Sequence, residues 1–314
     1  MSRARIDVHH HFLPDPYRAA LAAADVNTIG TVPFPVWDAE SMLARLDQLE
    51  IARALLSISA PGVAVGRPEK HAVLARDCNE SAAALVDGYP DRIGFFASLP
   101  LPDVDAALRE IHHSLDVLGA DGVVLFTNHA GCYLGDEHLE PIMEELDRRG
   151  AVAFVHPALP PGATELGRTL QPPVLEFTFD TTRAIADMIA IGFTVRYPNV
   201  RMILAHLGGA LPFLAWRLSM LEDTAHPVGQ GFRRFGVSVQ DCLRAFYYEV
   251  ATAGPEAVRA AATCVGSDRL LFGSDVPFIP PAFLDRTLAE LDTLDVGLRQ
   301  DIDRGNANRA FGWT

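Results

Sequence analysis

Apolar residues follow two rhythms along this chain, and the two alternate. Continuous apolar runs of strand length fall at residues 6–9, 52–58, 92–98, 122–126, 151–155, 200–205, 245–250 and 269–272. Runs without polar alternation predict strands covered on both faces, as in a parallel sheet. Between them apolar residues recur at helical spacing. Met42, Leu43, Leu46 and Leu49 follow Asp38 as an N-cap, and Val104, Leu108, Ile111, Leu115 and Leu118 form a second stripe. Further stripes are Leu139, Ile142, Met143 and Leu146, then Leu211, Leu214, Leu218 and Leu221, and last Leu284, Leu288, Leu291 and Leu294.

Eight strands alternating with helices predict an α/β chain closed as a distorted (β/α)8 TIM barrel, with a doubly wound open sheet as the alternative. At 314 residues the chain suits one such barrel, so residues 1–314 read as a single domain. Two stretches break the rhythm. Residues 13–37 carry Pro14, Pro16, Pro33 and Pro35 and read as a cap-like insertion over the barrel mouth. Residues 157–180, with five prolines and two glycines, read as a long loop after the fifth strand. Loops of that length in compact domains usually serve function.

Four of the apolar runs end in metal-binding side chains. They close on His9-His10-His11, on His156, on His206 and on Gly273-Ser274-Asp275. The carboxyl ends of parallel strands are where barrel active sites sit. His9 and His11 alternate with His10, so on a strand both face one side and can grip one ion. Barrel closure brings the first strand beside the last, and the group reads as one catalytic divalent-metal site. His10 faces the other way and reads as structural. His112, His113, His129, His138 and His226 read as surface or supporting residues, with His129 placed after strand four where it could reach the pocket.

Composition narrows the partners. Forty acidic against 26 basic residues give a net charge of −14, which repels phosphate backbones, so nucleic acid is not expected as a partner. No apolar stretch is long enough to span a membrane, and no signal peptide is read at the amino terminus, so a cytoplasmic location is expected. Cys78, Cys132, Cys242 and Cys264 are scattered without a C-x-x-C pair and read as free thiols. No G-x-G-x-x-G, P-loop or G-x-S-x-G pattern follows a strand, so neither a nucleotide cofactor nor a serine nucleophile is expected.

The D-x-H-x-H start, the V-H-P after strand five, the H-x-G-G-x-x-P after strand six and the G-S-D-x-P after strand eight resemble the amidohydrolase superfamily. Within it the chain is similar to the branch typified by aminocarboxymuconate-semialdehyde decarboxylase. The segments L-L-S-I-S-A-P-G from residue 55, G-F-F-A-S-L-P from 94 and L-G-A-D-G-V from 118 are most similar to that branch's 6-methylsalicylate decarboxylase group. The resemblance covers essentially the whole chain. It implies a barrel of the metal-dependent hydrolase type, with His9, His11, His156 and Asp275 as metal ligands. His206 is then the catalytic acid/base beside them, and Asp275 shares in proton transfer.

Binuclear members of the superfamily use a carboxylated lysine at the end of strand four. Here that strand ends Leu125-Phe126-Thr127-Asn128, and the sole lysine, Lys70, lies elsewhere. One divalent metal per chain is therefore expected, zinc first and manganese as the alternative. The resemblance also implies a homodimer in which Arg217 reaches the substrate carboxylate in the neighbouring subunit. Strand seven ends in Glu249 where relatives often have Asp, and Glu249 reads as a support behind the ligands. The first-loop arginine of some relatives has no secure match here. The expected activity is non-oxidative decarboxylation of a small aromatic carboxylate of the hydroxybenzoate type, such as 6-methylsalicylate, with release of carbon dioxide. The alternatives are a hydrolase acting on a lactone or amide with the same ligands, and a barrel that has kept the fold without chemistry.

Overall fold

Eight parallel strands pair in chain order. They are β1 (Arg5–His11), β2 (Ile51–Ser57), β3 (Ile93–Ser98), β4 (Gly122–Phe126), β5 (Val152–His156), β6 (Arg201–Leu204), β7 (Tyr247–Glu249) and β8 (Leu270–Leu271). The computed structural model describes residues 5–163, 169–224 and 227–313. β3, β4 and β5 are buried along their whole length, as the unbroken apolar runs require. Gly122 opens β4 because β5 passes so close: a Cβ there would lie 2.4 Å from the Val152 carbonyl oxygen.

The seam between first and last strand is irregular, and that irregularity builds the site. β8 is only two residues long. Beyond it the chain stays bonded to β1: Val8 N donates to the Phe272 carbonyl (3.0 Å), Asp275 N to that of His9 (2.8 Å) and His11 N to that of Val276 (2.7 Å). The barrel thus closes through a segment that also delivers Asp275 to the HxH pair. This is the distorted (β/α)8 barrel that the strand–helix alternation predicts.

The helical stripes form as expected. Ala39–Gln48 is capped by Asp38, whose side chain accepts from Ser41 N, and Val104–Asp116 by Asp103 accepting from Ala106 N. Residues 13–37 hold a helix, Asp15–Ala23, and a small ribbon pairing Thr28–Ile29 with Val32–Pro33. The stretch 157–180 departs from expectation, because a helix, Pro172–Ala190, begins inside it. Its two leading prolines occupy the first turn, where a missing N–H costs nothing and the fixed φ suits the helix.

Asp180 ties that helix to the end of β4. Fully buried, it accepts from Asn128 Nδ2 (2.9 Å), Tyr133 OH (2.5 Å), Arg183 Nη1 (3.0 Å) and the Thr127 hydroxyl. Phe177 of the same helix then packs over the ring of His156, with centroids 5.9 Å apart. The anchor thereby fixes one wall of the site. Among the described residues all four cysteines are free, and no helix is long and apolar enough to cross a membrane.

Candidate metal centre

Three imidazoles meet at the carboxyl ends of β1 and β5, and each is held by its Nδ1. His9 Nδ1 lies 2.9 Å from Glu249 Oε1, His11 Nδ1 lies 3.2 Å from the Ser57 carbonyl, and His156 Nδ1 lies 2.8 Å from the Pro157 carbonyl. Acceptors at all three Nδ1 atoms place the proton there, which leaves every Nε2 with a free lone pair turned inward. Asp275 completes the group: its Oδ1 is 3.4 Å from His9 Nε2 and 3.3 Å from His11 Nε2. Ligand atoms of His9, His11, His156 and Asp275 all lie within 4.8 Å of one another.

The donor set fits a divalent cation. His9 Nε2 and His11 Nε2 approach to 2.9 Å. Two imidazole nitrogens that close, both already protonated at Nδ1, repel unless a proton or a cation lies between their lone pairs. Burial opposes charging His9, yet the Glu249 and Asp275 carboxylates outweigh it and raise its pKa to about 9. Burial, reinforced by the charge of His9, lowers His11, and burial with the charges of His11, His9 and His206 lowers His156 well below the usual imidazole range. Asp275 is held well below the usual carboxylate range: burial would raise it, but His9, His11 and His206 more than offset that. The pocket therefore combines an ionised carboxylate with two imidazoles, His11 and His156, that resist protonation, the state metal ligands require. The carboxylates around His9 favour positive charge at its position.

His206 stands beside this group and outside it. Its Nε2 is 3.3 Å from Asp275 Oδ2, the oxygen away from the HxH pair, and its buried Nδ1 has no hydrogen-bond partner among the described residues. The backbone here is strained into place. His206, Leu207, Gly208 and Gly209 all have positive φ, between +53° and +67°. Outside glycine this conformation is rare and costs roughly 1–2 kcal/mol per residue. The turn is held by His206 N donating to Glu249 and by Ala210 N donating to Thr182 Oγ1 at 2.8 Å. Gly209 is obligatory, since a Cβ would sit 2.0 Å from the Thr178 carbonyl oxygen. Asp275 also has positive φ, +56°.

Supporting residues lie behind. Glu249 holds His9, the His206 amide and Ala251 N (2.7 Å) with one carboxylate. Gly273 makes room for it, as a Cβ there would lie 2.1 Å from Glu249 Oε2. His10 faces away, its Nδ1 2.9 Å from Asp7 Oδ2, and Asp7 also accepts from the amide and hydroxyl of Ser274, next to Asp275. That clasp was not singled out in the sequence, although the Asp of D-x-H-x-H and the Ser of G-S-D mark it. His129 is buried behind Phe126, 5.9 Å between rings, and is not among the residues lining the cavity. His112 and His138 are exposed, His113 is partly buried, and His226 lies outside the described residues.

A cavity of about 620 Å³ opens above the ligands. His156, His206 and Asp275 face it, and Phe177 and Phe278 flank them, Phe278 with its ring 5.4 Å from that of His11. The rest of the described lining is largely apolar and contains no arginine or lysine. Arg217 is not brought to this cavity. It lies on the helix Leu211–Ser219, exposed, with no hydrogen bond or ion pair among the described residues.

The family model described as "Amidohydrolase" matches residues 6–313, and the chain belongs to this family. It is 36% identical to a 6-methylsalicylic acid decarboxylase of Penicillium expansum, across 98% of this chain and 96% of the relative. It is 39% identical to a 6-methylsalicylic acid decarboxylase of Aspergillus aculeatus, across 88% and 85%. Among solved structures, an amidohydrolase superposes with a TM-score of 0.89 at 30% identity, covering 98% of this chain and all of the other. A manganese-bound 5-carboxyvanillate decarboxylase of Novosphingobium aromaticivorans superposes with a TM-score of 0.85 at 22% identity, covering 98% and 96%, and shares the fold.

Proposed function

We propose that this chain is a metal-dependent carboxy-lyase that decarboxylates a hydroxybenzoate, with 6-methylsalicylate as the reference substrate. The observation that carries this reading is the convergence of three imidazoles and one carboxylate beneath a largely apolar cavity, on a chain similar over nearly its whole length to 6-methylsalicylic acid decarboxylases. His9, His11, His156 and Asp275 would hold one divalent ion. Zinc is our first assignment and manganese the second, since three imidazoles and a carboxylate suit both. When bound, the ion acts as a Lewis acid that stabilises negative charge on the substrate's carboxylate and ortho-hydroxyl oxygens.

The chain's own residues supply the rest. Phe177 and Phe278 orient the ring and keep water from its face. His206, its Nε2 directed at Asp275 Oδ2, holds a proton at the cavity floor and delivers it, alone or with Asp275, to the ring carbon bearing the carboxylate. That carbon gains the proton, the C–C bond to the carboxylate breaks, and its electron pair restores the aromatic ring as carbon dioxide leaves. No electrons are exchanged with a cofactor.

A homodimer and a cytoplasmic location complete the proposal. Phe213, Trp216 and Met220 are 87%, 89% and 61% exposed on the helical face that carries Arg217. Aromatics beside arginine are the composition of interface centres, and a second copy is the partner we assign, with Arg217 reaching its substrate carboxylate. Four free thiols accord with a reducing compartment. Residues 13–37 are proposed as the cap of this single domain, supported by Ile29 and Val32 lining the cavity.

The test is carbon dioxide release from 6-methylsalicylate by purified protein reconstituted separately with zinc and manganese. Stoichiometric release with the corresponding phenol, without NAD, flavin or oxygen, is expected. Silence across ortho-hydroxybenzoates, with turnover of lactones or amides, would overturn it.

A further inference from the structure

The cavity is larger and drier than a one-ring acid needs. Its volume of about 620 Å³ equals roughly twenty waters at ~30 Å³ each. That is the middle of the range for ligands of drug size, and a single substituted benzoate leaves much of it unfilled. The surplus has a distinct character. Besides Phe177 and Phe278, the lining includes Ile29, Val32, Pro173, Val174, Ile279 and Phe283. Val174 and Phe283 are 64% and 37% exposed, which marks the mouth, whereas Ile29 is buried. The lining beyond the metal ligands is thus mostly apolar and includes residues exposed to solvent. Ordered water needs two to four polar partners, and apart from His156, His206 and Asp275 the polar residues of the described lining are Ser59, Gln171, Thr178 and Thr252.

We infer that the substrate class extends to 2-hydroxybenzoates bearing an apolar chain of several carbons on the ring carbon beside the carboxyl. This rests on the decarboxylase reading above and deepens it. With the carboxylate at the His/Asp floor and the ring between Phe177 and Phe278, the position beside the carboxyl is the one where 6-methylsalicylate carries its methyl, and a longer chain there would meet the apolar lining. Each methylene buried there strengthens binding roughly fourfold. The reaction is unchanged: the ring carbon gains a proton, the C–C bond breaks, carbon dioxide leaves, and the chain rides along as a binding handle.

The experiment compares 6-methyl-, 6-propyl- and 6-pentylsalicylate with metal-reconstituted enzyme, following carbon dioxide release. The kcat/KM of the pentyl acid should equal or exceed that of the methyl acid, mainly through a lower KM. A pentyl value below the methyl value overturns the inference while leaving the decarboxylase reading intact. Failure of all three overturns both. Val32 lines the cavity and is not a metal ligand, so Val32→Trp narrows that cavity and should lower the pentyl-to-methyl ratio of kcat/KM at least tenfold. A ratio that Val32→Trp leaves unmoved would overturn the placement of the chain against this lining.

Discussion

Glu249 accepts a hydrogen bond from His9 Nδ1 at 2.9 Å, joining the seventh strand to the first across 240 residues of sequence. The same carboxylate accepts from the backbone amides of His206 and Ala251. One buried anion therefore sets the tautomer of a proposed ligand and the position of the proposed acid/base. It is ionised in the fold: burial raises its pKa, but His9 and His206 outweigh this and lower it. Glu249→Gln keeps the shape and removes the charge. We expect metal affinity to fall about 10–100-fold, read by chelator competition, with unchanged circular dichroism. Undiminished affinity would show that the bond merely fills space.

His206 separates ligand from catalyst. Its Nε2 meets the outer oxygen of Asp275, whereas the HxH pair meets the inner one. His206→Asn should keep close to one metal per chain while kcat falls roughly 10²–10⁴-fold. His156→Ala should lose the metal itself. If His206→Asn empties the site, His206 belongs among the ligands.

The chemistry of this chain was more legible than its walls, and the reason is physical. A ligand at a strand end is announced by an apolar run that stops on His or Asp, as at Val155-His156 and Ala205-His206. The helix Pro172–Ala190 gave no such sign. Its buried face includes Asp180, Thr181 and Thr182, so hydropathy showed no clean helical period, and Pro172-Pro173 read as a breaker when they start the helix. Phe177, a wall of the cavity, was hidden with it. The positive φ at His206 and Asp275 was equally hidden, because neither is glycine and tertiary bonds impose the conformation.

Asp180 makes that helix a stability prediction. Asp180→Ala strips a shared acceptor from Thr127, Asn128, Tyr133 and Arg183 at a fully buried site. Removing one partner of a buried charged network costs about 3–5 kcal/mol. Denaturant unfolding should show that loss, and KM should rise as Phe177 loses its footing. Loss under 1 kcal/mol would mean that water replaces the carboxylate without strain.

His129 supplies a pH dependence independent of the metal ligands. Burial lowers its pKa from 6.5 to about 4. Its folded pKa is depressed, so the unfolded chain takes up the proton first as pH falls. The neutral fold is favoured above pH 6.5 and penalised progressively from 6.5 down to about 4. The full effect is about 3 kcal/mol. His129→Leu should flatten the fall in unfolding free energy across that window relative to wild type. Parallel curves would place the proton elsewhere.

The last prediction concerns association. Phe213, Trp216, Arg217 and Met220 sit at spacings of three and four on the helix Leu211–Ser219 and its continuation, so they share one face. Two aromatics nearly nine-tenths exposed are an unusual load for a free surface. Arg217 beside them has no ionic partner among the described residues, and the described residues lining the cavity include no arginine or lysine. A second copy would cover the aromatics and supply the guanidinium at once. Sedimentation should therefore give a dimer, and Trp216→Glu should shift it toward monomer. Arg217→Ala should leave the dimer in place while raising KM, since the loss is of a charged, hydrogen-bonding contact worth about 1.5–3 kcal/mol, or roughly 10–150-fold. Mixing Arg217→Ala with an inactive His206→Asn chain separates the two arrangements. If the arginine acts across the interface, heterodimers regain one site with both residues intact, and activity rises on mixing. If it acts within its own chain, or not at all, mixing restores nothing.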